Sequence, residues 1–471
     1  MRLHPNAASR RFALIAAGTG MLAAVVLPGR AVGLGLLLVS LGVVAAAASL
    51  QGFPARGPHA GLLVLALLLS GTALLRDARW LVAIDLAGAA CLASLAASRG
   101  RAAGAVVRGA VGVVARLPAA PAFALWSTGL RLGLPSRVAA PPARGVMLAA
   151  ALSLIVGGLF ASADAAFAHL TAEVLTPDVD LGLLPARLGI FVAVVGVAAG
   201  LVIVALAGPP RAGTQRGPDA RRRSEWVTAV AALDLLFGAF VVVQVTVLFG
   251  GHDHVLETTG LTYAEYAREG FVQLALAALL TLGVVAAAWP HPRRPSGHPD
   301  ALEVLLGLLC LLTLVVLVSA LRRLGLYEDA FGFTVARLSA QAMILWIGAV
   351  LVLVMAATLR RRSRWLPLAI SGLTGLSLLV FTLINPEGLV AERNVDRFRE
   401  QGRIDVEYLS HLSADATPAL AALRGRRLRC AVRRQALRLE DEDGLFGLNR
   451  ARTRARDALT GLDEQPPRAT C

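Results

Sequence analysis

The feature that most constrains this chain is a succession of apolar stretches, each as long as a bilayer core is thick, separated by short loops that carry its arginines. A hydrocarbon core of about 30 Å takes roughly 20 residues of α-helix, and it tolerates only backbone whose polar groups are bonded internally. Eleven stretches meet this requirement: residues 12–28, 31–50, 60–75, 80–97, 145–167, 183–207, 226–249, 268–289, 301–320, 338–359 and 366–384. The first and fourth are short, so ten spans is the alternative. With 56% hydrophobic and 16% charged residues over 471 positions, a soluble enzyme, a disordered chain and a nucleic-acid-binding domain are all disfavoured.

The formal charge of +15 lies mainly in the loops: residues 1–384 hold 30 Arg against 17 acids, and residues 385–471 hold 16 against 14. Basic residues between spans stay on the cytoplasmic side. With Arg187 and Arg268 counted in the loops they border, the even-numbered loops carry 19 Arg and the odd-numbered ones 8. This predicts a cytoplasmic N-terminus and, after eleven spans, an extracytoplasmic C-terminal tail in the cell membrane. Residues 12–28 are expected to remain as a span, because Pro28-Gly29-Arg30 offers no small-x-small cleavage site and a second span follows at once.

Four regions follow. Residues 1–97 form a four-span module, and residues 98–144 a linker with seven Arg, five Pro and no acid. There Val106, Val107, Val111, Val114 and Leu117 alternate with Arg101, Arg108 and Arg116, as in short helices lying on a leaflet of anionic lipid. Residues 145–384 form a seven-span core. Residues 385–471 read as a small helical tail: Asn385-Pro386-Glu387 starts one helix and Gly402 ends it, Thr417-Pro418 starts a second, and Asn449 caps a third. Its balanced charge suits a solvated surface and not a nucleic-acid grip. Cys430 and Cys471 could pair as a disulfide if the tail is outside, while Cys91 and Cys310 within spans read as packing residues.

A charge inside the bilayer costs roughly 2.5–3.5 kcal/mol on insertion scales, so each needs a partner or a use. Asp234 lies deepest; it is read either as a protonatable or cation-coordinating site or as a packing contact between spans. Asp164, Arg187, Arg337 and Asp85 fall near the outer surface, where they form an external polar vestibule or ordinary interfacial ion pairs. Before the eighth span, Thr262 and Glu265 make a capping box, Tyr263 and Tyr266 share an interfacial face, and Arg268 opens the helix. Gly332 to Arg337 repeats the Gly-x-Thr pattern before the tenth span. His252 and His254, with Asp253 and Glu257, are a weak metal candidate, since His-x-His fixes neither ligand number nor geometry. No HExxH, phosphate loop, GxSxG or dinucleotide fingerprint occurs, and no cofactor is implied.

Five motifs, FASADAAF at 160–167, LTYAEYAREGF at 261–271, LYEDAFGFTVARL at 326–338, NPEGLVAERNVDRF at 385–398 and GRIDVEYLSHLSADATPAL at 402–420, resemble in order a bacterial membrane family described as domain of unknown function 4173, to which the 4153 group is related. The resemblance covers about residues 145–456 and leaves the first four spans outside. It implies an integral membrane protein with a polar C-terminal tail and implies no reaction. Relatives carry Tyr where Phe331 stands and Trp where Leu448 stands, so the contacts at those positions are expected to differ here. The expectation is an all-α polytopic bundle that serves the bacterial cell envelope as a non-enzymatic interaction or sensory component. A secondary transporter using Asp234 and a membrane-embedded transferase using the outer Asp, Arg and Tyr groups are the rival readings.

Overall fold

The structure, a computed structural model, describes residues 7–29, 32–50, 56–101, 103–128, 183–208, 220–249, 271–288, 300–359, 365–423, 436, 439 and 444–460. Among these residues all regular structure is helical and there is no strand. The chain divides into two units: Met1–Leu75 with Val82–Arg211 and Asp443–Asn449, and Arg76–Leu81 with Ala212–Glu442 and Arg450–Cys471.

The first unit holds α1 (Ala7–Val26), α2 (Leu34–Leu50), α3 (Pro58–Gly71), α4 (Arg79–Ser98, its first turn belonging to the second unit), α5 (Ala103–Ala110), α6 (Gly112–Arg116), α7 (Ala120–Thr128) and α8 (Leu184–Ala207). α1 packs against α2 and α8. The close approach to α8 depends on Gly20, where a Cβ would stand 2.8 Å from the Phe191 ring. Phe12, Ala23, Ala46, Leu69, Leu95 and Val202 are fully or almost fully buried. The start of the basic linker folds onto α4: Ser94 donates to the Gly109 carbonyl at 2.5 Å and accepts from the Val113 N–H at 3.1 Å. Val106 and Val113 therefore turn inward, while Val107, Val111 and Val114 stay exposed.

The second unit holds α9 (Ala220–Phe249), α10 (Phe271–Ala288), α11 (Ala301–Phe331), α12 (Val335–Leu359) and α13 (Leu366–Leu383), followed by the tail helices α14 (Pro386–Gln401), α15 (Val406–Ser410), α16 (Thr417–Leu420) and α17 (Arg450–Thr460). α11 is the axis of its core; Leu309, Val316, Ala320 and Leu324 meet Ile344, Ile347 and Leu351 of α12. At 31 residues, about 46 Å of helix, α11 continues well past the expected end of its span at residue 320. A second apolar cluster joins Val390, Ala391, Val395, Leu409 and Leu420 of the tail to Phe333, Val335 and Leu338 beside the α11–α12 turn.

The number of spans needs correction. Among the described residues seven helices, α1, α4, α8, α9, α11, α12 and α13, are long and apolar enough to cross a membrane, where eleven spans were expected for the whole chain. Three other apolar helices, Leu34–Leu50, Pro58–Leu74 and Gln273–Ala288, have 17 residues or fewer. α2 starts only after the turn around Gly29, and the α-helical part of α3 gives way to a tighter 3-10 turn at Thr72. The remaining expected span, 145–167, lies outside the described residues.

Candidate functional site

The tail of the second unit is not a loose appendage. Asn385 sets its direction: it takes a left-handed backbone (φ 57°), and its Oδ1 accepts from the Gly388 N–H at 3.3 Å. Its Nδ2 reaches back to the Asp415 carbonyl at 3.2 Å. Pro386 follows in the first turn, and Gly402 (φ 72°) ends α14, as the sequence predicts.

Asp415 is the hub. Its side chain is 1% exposed. Oδ2 accepts from the Asp77 and Ala78 N–H groups at 2.7 and 3.0 Å and from the Ser413 hydroxyl at 3.1 Å, and Oδ1 faces Arg76 at 3.5 Å. Arg76 also donates to the Thr382 and Leu383 carbonyls, at 2.8 and 2.6 Å, in the last turn of α13. Lone carbonyls at a helix C-terminus carry partial negative charge and welcome a cation. Arg452 of α17 meets Asp77 Oδ1 at 2.5 Å, and Glu387 takes the Trp80 indole N–H at 2.7 Å and the Ser413 N–H at 2.5 Å. The segment Arg76 to Trp80, which leads from the end of the α3–α4 connection into α4, is thus held from three sides by the tail.

Burial pushes the Asp415 carboxyl above its ordinary value, opposed by the two backbone N–H donors and by Arg76. Burial likewise lowers Arg76, with Asp415 opposing and Arg454 and Arg450 adding to the decrease.

The α11–α12 turn is bound in the same way. Gly332 (φ 86°) leaves room for Asn394, whose amide donates to the Phe333 carbonyl at 2.8 Å and whose oxygen accepts from the Phe333 N–H at 3.2 Å. Arg397 donates to the Ala330 carbonyl at 2.7 Å, and the Tyr408 hydroxyl accepts from the Val335 N–H at 2.8 Å. Burial raises the Tyr408 phenol, with the Val335 bond opposing it and Glu387 adding to the rise. Arg337 donates to the Gly332 carbonyl and lies 4.1 Å over the Tyr327 ring. Glu328, 3% exposed, accepts from Gln341 at 2.5 Å.

Of the residues singled out in the sequence, Arg337 joins this head. Asp234 is 6% exposed beside Cys310, and among the described residues neither of its oxygens has a hydrogen-bond partner. Asp85 is fully buried in the first unit, where Thr72 donates to it at 2.7 Å, and Arg187 is exposed on the first turn of α8. Cys310 is buried and Cys91 exposed, both as free thiols. Phe331 keeps an aromatic contact with Tyr327, ring centroids 4.9 Å apart, and Leu448 is exposed. Asp164, His252, His254, Thr262, Tyr263, Glu265, Tyr266, Arg268, Cys430 and Cys471 lie outside the described residues. The sequence reading missed Arg76, Asp77, Trp80 and Asp415 as partners. Asp415 and Glu387 stand inside quoted motifs, but nothing local marks the 76–80 turn.

The buried carboxylates of the head, Asp415 and Glu387, are committed to backbone N–H groups, the Ser413 hydroxyl, the Trp80 indole and Arg76, while Glu392, Asp396, Glu400, Asp405 and Glu407 are exposed. No group of three or more His, Cys, Asp or Glu placed to hold a metal occurs among the described residues.

An all-helical chain with several bilayer-length apolar helices and a polar tail bonded to their turns is a multi-pass membrane protein by class. Residues 63–423 match the family described as Domain of unknown function (DUF4153), 361 of 471 residues, and the chain belongs to that family. The match corrects the expected 4173 family and also its extent, because it begins inside α3 and takes in α4. The geometry gives a reason: the turn between these helices carries the partners of Asp415 and Glu387. No curated protein and no solved structure matches the chain significantly.

Proposed function

We propose that this is a cytoplasmic-membrane protein of the cell envelope, with its N-terminus in the cytoplasm, whose extracytoplasmic head is a non-enzymatic interaction or sensory surface. The head comprises the tail helices and the turns at 76–80 and 332–334. The observation that carries this reading is Asp415, a carboxylate 1% exposed and spent on holding the α3–α4 turn to the tail. A tail fixed in this way presents a defined surface and is not a tether.

The same bonds put the whole head on one side. Arg76 bonds the last carbonyls of α13, so an even number of crossings separates the α3–α4 turn from the end of α13. The candidate spans α4, α8, α9, α11, α12 and α13 supply six, and α1 before the turn carries the chain out from a cytoplasmic N-terminus.

The test is complementation of a strain lacking the gene, scored by envelope-stress phenotype with membrane abundance measured in parallel. Asp234→Asn is expected to complement, and a chain lacking residues 385–471 is expected to insert without complementing. The reverse pattern overturns this reading in favour of a transporter built around Asp234. A reporter active only outside the membrane, fused after Ile384 and after Cys471, tests the topology, and silence at both positions sinks it.

A further inference from the structure

Once the head's internal bonds are accounted for, several exposed arginines remain, and two of them share one face of one helix. Arg452 points inward from α17 to Asp77 at 2.5 Å, which fixes the rotation of that helix. Arg450 and Arg454, two residues to either side and four apart from each other, fall together on the opposite face. Both are exposed, and neither has a hydrogen bond or an ion pair. Both lie within electrostatic reach of Arg76. Among the described residues the nearby acids make no ion pair with them: Asp415 and Glu387 are buried on donors of their own, Asp77 is taken by Arg452 and the Ala414 N–H, and Asp457, three residues beyond Arg454, stands exposed without a salt bridge.

The position of this charge identifies its counterion. Arg76 is bonded to the last carbonyls of the apolar helix α13, and Leu383 and Ile384 beside it are about half exposed. Exposed cations next to exposed apolar side chains at the end of a span stand at the level of the headgroups, a layer about 5–8 Å deep on each side of the hydrocarbon. A phosphate oxygen accepts readily from guanidinium donors, and a second cation one helical turn away suits an anionic group of that size.

We propose that Arg450 and Arg454, backed by Arg76, bind the phosphate of an anionic phospholipid in the leaflet that the head faces. This rests on α13 crossing the membrane and is independent of what else the head contacts.

The experiment uses the full chain in liposomes doped with a photoactivatable phosphatidylglycerol or its phosphatidylcholine analogue, with crosslinks mapped by peptide mass spectrometry. The phosphatidylglycerol probe is expected to label the peptides carrying 383–388 and 449–460, and the phosphatidylcholine probe to label them weakly. Competition by unlabelled phosphatidylglycerol against Arg450→Gln/Arg454→Gln should weaken by about 30-fold, from roughly a fivefold loss per arginine at a charged membrane surface. Labelling elsewhere on the chain stays constant and serves as the internal control for folding. The double lysine variant keeps the charge and should stay within about threefold of the original. Unchanged labelling at these peptides in the glutamine variant overturns the proposal. So does displacement by inorganic phosphate as effective as by lipid, which marks a site for a soluble anion.

Discussion

Asp415→Ala is the most revealing single change. The carboxylate receives two backbone N–H bonds at 2.7 and 3.0 Å and one hydroxyl bond at 3.1 Å, and it faces Arg76 at 3.5 Å with 1% of its side chain exposed. Its removal strands the Asp77 and Ala78 donors and leaves a largely buried guanidinium without its carboxylate. Breaking one side of a buried pair costs about 3–5 kcal/mol, and the stranded donors fall within that figure since they share the same acceptor. Asp415→Asn is far milder, about 1 kcal/mol, because one amide oxygen keeps the N–H bonds and Arg76 retains the two α13 carbonyls. Limited proteolysis of the purified chain in nanodiscs, read at α14 to α16, separates the two outcomes. Ala should expose the tail by at least a hundredfold in cleavage rate when opening is in rapid equilibrium, and Asn by less than about tenfold. Equal protection in the Ala variant and the original refutes the idea that this carboxylate holds the head together.

Further expectations follow from the same geometry. Because burial raises the Asp415 carboxyl in the folded head, the docked tail binds its proton more tightly than the free tail does. The stability this group contributes is thus full below its ordinary value and lost as pH rises through the folded one. Tail protection should therefore hold or improve between pH 7 and 5 and lose that dependence in Asp415→Asn, as hydrogen exchange of α14 would show. Gly332→Ala places a Cβ 2.8 Å from Asn394 Oδ1 at a φ of 86°, a cost of about 1–3 kcal/mol visible as a lower melting temperature. Trp80→Phe removes one of the two donors to Glu387 while keeping the edge contact with Phe381, and should cost about 1–2 kcal/mol in the same measurement. Asp234→Leu replaces a buried carboxyl that has no hydrogen bond among the described residues and should raise the melting temperature, by about 1–3 kcal/mol of stability; a fall would show that the acid has a partner in the membrane.

The parts of this molecule that were legible in its sequence are those decided by neighbours along the chain. Ten of the eleven expected stretches coincide with apolar helices, because hydropathy over 20 residues is a local sum. Asn385, Pro386 and Gly402 bound α14 for equally local reasons. The apolar stretch 301–320 is only part of its helix: α11 runs on through Arg322 and Arg323 to Phe331, because arginine is a good helix former and the buried stripe of Ala320, Leu324 and Glu328 continues at helical spacing. The α-helical part of α3 falls short for the converse reason, since average hydropathy does not register the tightening at Thr72.

The head was hidden for a different reason. Arg76 and Asp415 stand 339 residues apart, and each taken alone reads as an ordinary loop charge. Balanced charge in the tail suggested a solvated surface, yet Glu387, Asp415 and Arg452 are its buried members, and charge balance cannot tell an inward pair from an outward one. The distinction requires knowing which turns the tail meets. Arg450 and Arg454 differ from Arg452 only by half a helical turn, and that rotation alone leaves two of the three charges exposed and the third buried on Asp77.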